Sequence, residues 1–202
     1  MNLKNLCLTL MAVLLLQSAC SANKIVNLPA PVRDGGKGVL TVMNERRTDR
    51  NFLPDPIPQQ ELSNLLWAAY GINRENGKRT VPLALNKRNM DLYVADAAGL
   101  WLYDPEKNTL TLKQSGDART GQFKNAPITL YFAGPKDDIF KEMHAGSMYQ
   151  NAGLYAASIG LGNVVCYRNV PEINEKFKLE GDKKFVITQS FGWINKEHTL
   201  TP

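Results

Sequence analysis

The spacing of hydrophobic residues divides the chain into helices and strands in a mixed order. Four stretches carry apolar residues every three or four positions, which is typical of helices; they lie at about 36–46, 58–70, 137–159 and 171–179. Short apolar runs between turn-forming residues indicate strands; they lie at 92–95, 99–103, 109–112, 127–133, 163–167 and 184–192. This order predicts an α+β fold in which helices cover a mostly antiparallel central sheet.

Two stretches are predicted to lie at the centre of this fold, and one loop stands out by its length. The helix at 137–159 has apolar and small residues on most of its surface, so it should pack closely on more than one neighbour. The strand at 127–133 is continuously apolar, which indicates burial on both faces. The polar loop 71–89 is long for a compact domain, and such loops are often functional.

The N-terminus has the pattern of an export signal. Lys4 precedes an apolar run, Leu8 to Leu16, that is too short to span a bilayer, which predicts a cleaved signal over residues 1–19. Cys20 follows Ser18 and Ala19 and resembles the end of a bacterial lipobox, although Gln17 departs from that motif. The chain is therefore expected either to be lipid-anchored through Cys20 or to be cleaved nearby into a soluble periplasmic or secreted form. Residues 20–37 are interpreted as a linker and residues 38–202 as one domain.

Composition and charge narrow the function classes. The 202 residues are 44% hydrophobic and carry a net charge of +5, with no basic stripe interleaved with aromatic residues. Nucleic acid is therefore not indicated, whereas an anionic small molecule would suit the mild positive charge. Cys166 is the one cysteine of the predicted domain, so no disulfide framework is expected, and a buried structural role is the simplest interpretation. His144 and His198 belong to no metal-spaced cluster, so no metal site is predicted and replacement of His144 should have little effect.

A dense group of donors follows the first predicted helix. Arg46, Arg47, Thr48 and Arg50 fall within five residues. Guanidinium groups are permanently charged and match phosphate oxygens in two-point contacts, so this group could hold the phosphate of a nucleotide-like cofactor. The alternative is an ordinary solvated basic turn.

Several separate motifs, taken in order, resemble the nitroreductase family of flavin enzymes. They are Arg46 to Phe52, Leu65 to Gly71, Arg79 to Asn86, Gln150-Asn151, Gly160 to Gly162, and a last strand ending Phe191-Gly192-Trp193. The resemblance covers residues 38–194. It is closest to the branch that contains the thiazole- and oxazole-forming peptide dehydrogenases.

The resemblance implies a nitroreductase-like sandwich that forms a homodimer and binds FMN non-covalently in clefts at the dimer interface. It implies that the phosphate, the ribityl chain and the pyrimidine edge of the ring are held by Arg46, Arg47, Thr48 and Arg50. It also implies that Pro82 and Asn86 lie against the flavin of the partner subunit; Leu83 stands where the family has Ser.

Further contacts are implied near the reacting edge of the flavin. Gln150, Leu161 and Gly162 match the helix and turn that approach this edge, with a backbone N–H near Leu161-Gly162 as the partner of flavin N5. Lys196 is the basic residue available after the last strand to meet the phosphate. No catalytic side chain is required, because hydride transfer is the chemistry of the cofactor.

The resemblance therefore implies an FMN-dependent oxidoreductase that works by a ping-pong cycle. Electrons would pass from reduced flavin to a small conjugated acceptor such as a nitroaromatic or a quinone. NAD(P)H is the expected donor in the cytoplasm, whereas export would call for another redox protein. The alternative is an exported flavin-binding protein of the same fold, a sensor or scaffold without turnover, which the change at Leu83 and the lack of a terminal arginine would favour.

Overall fold

Seven strands form one antiparallel sheet in the computed structural model, which describes residues 24–194. The strands are β1 (Ile25–Asn27), β2 (Asp91–Ala95), β3 (Gly99–Asp104), β4 (Thr109–Ser115), β5 (Ile128–Pro135), β6 (Leu161–Cys166) and β7 (Lys183–Trp193). Their order across the sheet is β1-β4-β3-β2-β5-β7-β6, and every neighbouring pair is antiparallel. The predicted antiparallel sheet is therefore confirmed. The predicted signal, Cys20 and Lys196 lie outside the described residues.

Four α-helices accompany the sheet in the part of the chain that the structure describes, and four were predicted there. They are α1 (Val39–Glu45), α2 (Gln59–Tyr70), α3 (Lys141–Ile159) and α4 (Val170–Lys176). Helix α3 is the central one: it packs against α1, α2 and strands β5, β6 and β7. It begins four residues later than predicted, because the Asp138 carboxylate accepts a hydrogen bond from Phe140 N–H and holds the preceding residues in a turn. No helix within residues 24–194 is long and apolar enough to cross a membrane.

The core lies on both faces of the sheet, and β5 contributes to each side. Leu130 and Phe132 belong to the main core beneath α2 and α3, whereas Tyr131 and Ala133 belong to a second cluster beside α4. The prediction that this strand is buried on both faces is confirmed. A third, smaller cluster contains Phe52, Phe123, Ala126 and Val164. Cys166, expected to be buried, is half-buried beside that cluster.

The segment interpreted as a linker packs against the domain. Strand β1 pairs with β4 at the edge of the sheet, and Leu28 enters the main core. The Ser63 hydroxyl donates to the Pro29 carbonyl at 2.6 Å, and Val32 N–H donates to Asn64 Oδ1 at 2.8 Å. Within the segment 20–37 interpreted as a linker, residues 25–32 are therefore part of the folded domain. A three-residue edge strand is too short to give a hydrophobic period, so the sequence pattern did not indicate it.

Candidate functional site

The arginine-rich stretch crosses the edge strand β6 in an extended conformation. Helix α1 ends at Glu45, and the chain then continues without regular structure to Phe52. Asp49 N–H donates to the Asn163 carbonyl of β6 at 3.0 Å, and Leu53 N–H donates to the Trp193 carbonyl at 2.7 Å. Phe52 is buried in the small third cluster. Backbone bonds on both sides and one buried ring therefore fix the stretch to this edge of the sheet.

Two glycines allow this close approach. Gly162 in β6 and Gly192 in β7 are Cα partners. A Cβ atom on Gly162 would lie 2.9 Å from the Asp49 Cβ and 2.2 Å from the Ile194 Cγ2, and one on Gly192 would lie 3.1 Å from the Phe52 Cβ. Real Cβ atoms essentially never come within 3.0 Å of another carbon atom, and 3.1 Å is tighter than most real contacts. Gly162 is therefore needed for the stretch to lie here, and Gly192 favours it. The preceding glycine, Gly160, serves a different purpose, since its φ of 80° ends helix α3.

The donors of the stretch are available to an anion. Arg47 and Arg50 are exposed and Arg46 is half-buried. Arg47 Nε lies 3.4 Å from Asp49 Oδ1. Within residues 24–194, the guanidinium groups of Arg46 and Arg50 have no hydrogen bond or ion pair, and the exposed Thr48 hydroxyl likewise has no partner. Two guanidinium groups and a hydroxyl without a partner among the described residues are donors of the kind that bind phosphate oxygens, so the chemistry of these residues fits the phosphate of FMN.

The backbone of β6 offers a further donor beside this stretch. The Asn163 carbonyl faces Asp49 and therefore points away from β7. Alternate residues of an antiparallel strand direct their peptide groups to opposite sides, so Leu161 also faces the open edge while Gly162 faces β7. The predicted N–H near Leu161-Gly162 is therefore that of Leu161. The side chain of Leu161 is buried in the main core, which leaves only its backbone for a ligand.

The second predicted group of site residues lies in the loop after α2. Ala84–Asn86 form one 3-10 turn, in which Leu85 (φ 53°) and Asn86 (φ 54°) are left-handed. Ala84 N–H donates to the Nε2 atom of His144, in the first turn of α3, at 2.8 Å. Leu83, which replaces the Ser expected from the resemblance, packs against the main core. Pro82 and Asn86 are exposed.

Within one chain, the two groups of predicted site residues lie at opposite ends of helix α3. His144 lies in the first turn of α3 and Gly160 ends the helix, sixteen residues later. Sixteen residues span about 24 Å along a helix axis. The structure therefore brings Arg46, Arg47, Thr48, Arg50, Leu161 and Gly162 together, and holds Pro82 and Asn86 at the other end of the helix.

Gln150 occupies the middle of α3 and is exposed there. Its neighbour Asn151 joins α3 to α2 and the following loop, since its Nδ2 atom donates to the Ala68 carbonyl at 3.2 Å and to the Thr80 carbonyl at 3.3 Å. One cavity among the described residues lies away from the predicted site residues. It has a volume of about 440 Å³, is lined by Arg33, Trp67 and Tyr103, among others, and does not include the arginine-rich stretch.

Sequence reasoning missed buried polar residues that support both groups. His144 is buried with its Nδ1 atom unpartnered, and burial lowers the pKa of its imidazole below the ordinary value. At the other end, Gln189 Nε2 donates to Asn163 Oδ1 at 2.9 Å beneath Gly153. Arg79 is buried against the ring of Tyr70, 4.9 Å from the guanidinium carbon to the ring centroid. The expectation that His144 is dispensable does not fit its bond to the loop. No local motif marks these residues, because each contact joins distant parts of the chain.

Comparisons with known proteins agree with this architecture. A sequence profile described as "Nitroreductase family" matches residues 43–193. A protein of Methanocaldococcus jannaschii, named as a candidate nitroreductase, is 29% identical over 167 residues, which cover 69% of this chain and 83% of that protein. The crystal structure of a candidate nitroreductase from Ralstonia eutropha JMP134 superposes with a TM-score of 0.78 at 33% identity, covering 88% of this chain and 93% of that one.

A more distant structure shares the fold. The nitroreductase with bound FMN from Bacteroides fragilis superposes with a TM-score of 0.59 at 13% identity, covering 82% of this chain and 93% of that one. The α+β sheet with its central helix is therefore a nitroreductase-like fold. The chain belongs to the nitroreductase family.

Proposed function

We propose that this chain is an FMN-dependent oxidoreductase that transfers electrons to a small conjugated acceptor. The observation that carries the proposal is a pair of guanidinium groups, Arg46 and Arg50, that have no partner among residues 24–194 and belong to the stretch that crosses the edge strand β6. Family membership and the FMN-bound neighbour from Bacteroides fragilis support the choice of flavin over other phosphorylated cofactors.

The residues at this edge would each contact a different part of the cofactor. Arg46, Arg50 and the Thr48 hydroxyl would hold the phosphate through charge-assisted hydrogen bonds. A guanidinium group near the pyrimidine edge of the ring would stabilise negative charge there, and the Leu161 N–H would donate at the reacting edge. When bound, FMN would supply hydride transfer at its N5 atom. No side-chain acid or base is needed for that step.

The site would be completed by a second copy of the chain. Pro82 and Asn86 belong to the loop bonded to His144, and His144 lies about 24 Å along the axis of α3 from Gly160 at the arginine end, so they would contact the flavin that a partner holds. Exposed apolar side chains favour such a homodimer, because a lone chain would leave them in water. They are Val39, Leu40, Leu85, Ile139 and Met143.

The proposed electron donor, electron acceptor and cellular location are based on the sequence. We propose a nitroaromatic, a quinone or a similar molecule as acceptor, and NAD(P)H as donor wherever the chain meets it. If residues 1–19 direct export, the chain would act in the periplasm or on a lipid anchor at Cys20, and another redox protein would be the donor. Mass spectrometry of the intact protein from membrane fractions tests the anchor. The resemblance to the thiazole- and oxazole-forming branch stays a prediction.

Purification of the mature chain tests the main proposal. We expect a yellow protein with an absorbance band near ~450 nm, one FMN per chain, and bleaching by dithionite and by NAD(P)H. Addition of FMN to the apo-protein should raise its melting temperature, since a ligand at 100 times its Kd stabilises by about 2.7 kcal/mol. A colourless chain that FMN does not stabilise would overturn the proposal. A yellow chain that dithionite bleaches but that reduces no acceptor would support the binding protein without turnover instead.

A further inference from the structure

The loop that carries Pro82 and Asn86 contains strain that its surroundings must hold. Leu85 has a φ of 53°, a left-handed conformation that brings Cβ close to the following carbonyl oxygen, and its side chain is 80% exposed. An exposed leucine gains nothing from burial that would offset this cost. Such a conformation persists only where neighbouring contacts determine it, and it is common at ligand-binding sites.

Asp138 holds the far end of this loop. Its buried carboxylate accepts a hydrogen bond from Asn89 Nδ2 at 2.8 Å and lies 3.2 Å from Lys87 Nζ. It also accepts from Phe140 N–H at 3.1 Å, just before α3 begins. The hydrogen bond from Asn89, with those from Phe140 N–H and Lys87, lowers the pKa of Asp138 to about 2. This carboxylate therefore stays charged and ties residues 87–89 to the start of α3.

His144 holds the near end through a single acceptor atom. Its Nε2 atom accepts the Ala84 N–H, so the proton of the neutral ring lies on Nδ1. The charged groups that act on this ring are Asp138, beside the start of α3, and Lys87, from the loop. A second proton on the imidazole would occupy Nε2 and remove the acceptor.

We propose that His144 and Asp138 are positioning residues that fix the strained loop 82–86 for contact with the flavin held by a second copy of the chain. This inference rests on the proposed function. His144 and Asp138 would then contribute to the site without touching the cofactor of their own chain. The conformation of the loop would depend on the protonation of His144. At acidic pH the Ala84 N–H loses its acceptor, and the left-handed turn loses one of the contacts that hold it.

Two variants separate the acceptor from simple packing. His144→Gln keeps an acceptor oxygen on a side chain of similar reach, whereas His144→Leu fills the space without one. Glu175→Gln, on the exposed surface of α4, is the matched control. Hydrogen–deuterium exchange of peptides spanning 82–89 in the apo-protein reports on the loop itself. FMN affinity, measured by flavin fluorescence, reports on whether the loop contributes to cofactor binding.

We expect faster exchange of the Ala84 amide in His144→Leu, by about 10-fold after correction for intrinsic rates, and near wild-type exchange in His144→Gln. FMN binding should weaken by a similar factor in the leucine variant only. Both wild-type readouts should worsen at acidic pH, as the buried imidazole of His144 becomes protonated, and His144→Gln should lack this change.

Three outcomes would contradict the inference. The Ala84 amide could stay protected in His144→Leu, the glutamine variant could be as impaired as the leucine variant, or FMN affinity could be equal in all variants while exchange differs. If the wild-type chain binds no FMN, the proposed function fails, whereas the exchange measurements still decide whether His144 holds the loop.

Discussion

Gly162→Ala tests whether the arginine-rich stretch is held by its close passage over β6. The added methyl would lie 2.2 Å from the Ile194 Cγ2, 2.9 Å from the Asp49 Cβ and 3.5 Å from the Phe52 Cε1. The first two distances are far below a van der Waals contact, so the stretch and the end of β7 must move apart. That displacement would carry Arg46 and Arg50 with it.

The size of the effect follows from two opposing contributions. Overpacking of a closely packed site costs about 1–3 kcal/mol. Replacing a strand glycine by alanine regains about 0.5–1 kcal/mol, because alanine loses less backbone freedom on folding. The net loss should be about 1.3 kcal/mol at the middle of these ranges and at most about 2.5 kcal/mol, so for a domain of this size the melting temperature should fall by about 3–5 °C and at most about 10 °C.

Thermal unfolding of the apo-protein measures this loss, and FMN titration measures the displacement of the arginines. Gly38→Ala is the matched control, since a Cβ there would meet no atom within 4 Å, and its stability should stay within about 0.5 kcal/mol of wild type. In an Ile194→Ala background the Gly162→Ala change should cost less, because the nearest clash is gone. Unchanged melting of Gly162→Ala, or an equal cost in both backgrounds, would refute this close passage.

Three further predictions concern the site and its stability. Arg46→Ala and Arg50→Ala should each weaken FMN binding by about 10- to 100-fold. Apo-protein stability should change little, because neither side chain has a partner within residues 24–194. The control Arg168→Ala, on the exposed turn after β6, should change neither FMN affinity nor stability, and FMN titration with thermal unfolding checks all three variants. Equal mixtures of an Arg46→Ala/Arg50→Ala chain and a His144→Leu chain, refolded together, should restore about one intact site in four if each site uses both subunits, and none if each chain builds its own. Chemical denaturation across pH should show full stability above about pH 6.5 and a decline below it, because the unfolded chain protonates His144 before the folded chain does. A second decline should follow from about pH 4 towards pH 2, as Asp138 is protonated. A flat profile between pH 7 and 5 would contradict the buried neutral imidazole.

The sequence pattern predicted the elements whose own residues carry a period. Helix α2 and strand β5 were placed within two residues of their observed bounds, because each buries a face or a whole strand along its length. Strand β1 was missed because three residues show no period, and its pairing with β4 joins parts of the chain more than eighty residues apart. The start of α3 was misplaced because a hydrogen bond from Phe140 N–H to the Asp138 carboxylate, rather than hydrophobicity, sets it.

The same distinction applies to the site. The arginine-rich stretch could be predicted because its donors are consecutive and their chemistry is explicit. The residues that hold the loop could not be predicted, since Ala84 and His144 are 60 residues apart and Lys87 and Asp138 are 51 residues apart. Gly162 was identified through a resemblance, but its physical role, a passage for Asp49 and Phe52, depends on a segment more than a hundred residues earlier.

Two-fold symmetry explains why a chain would keep the halves of one site so far apart. In a symmetric dimer every contact occurs twice, so a partner that brings its loop to one arginine edge also offers its own arginine edge to the first chain's loop. Exposed apolar residues lie beside both halves: Leu40 and Met43 precede the arginines, and Leu85 and Met143 lie at the loop. An interface that covers both ends of α3 would bury all of these and form two equivalent sites. In such a dimer, the left-handed turn at Leu85 and its support by His144 would present a rigid loop to the cofactor of the other subunit.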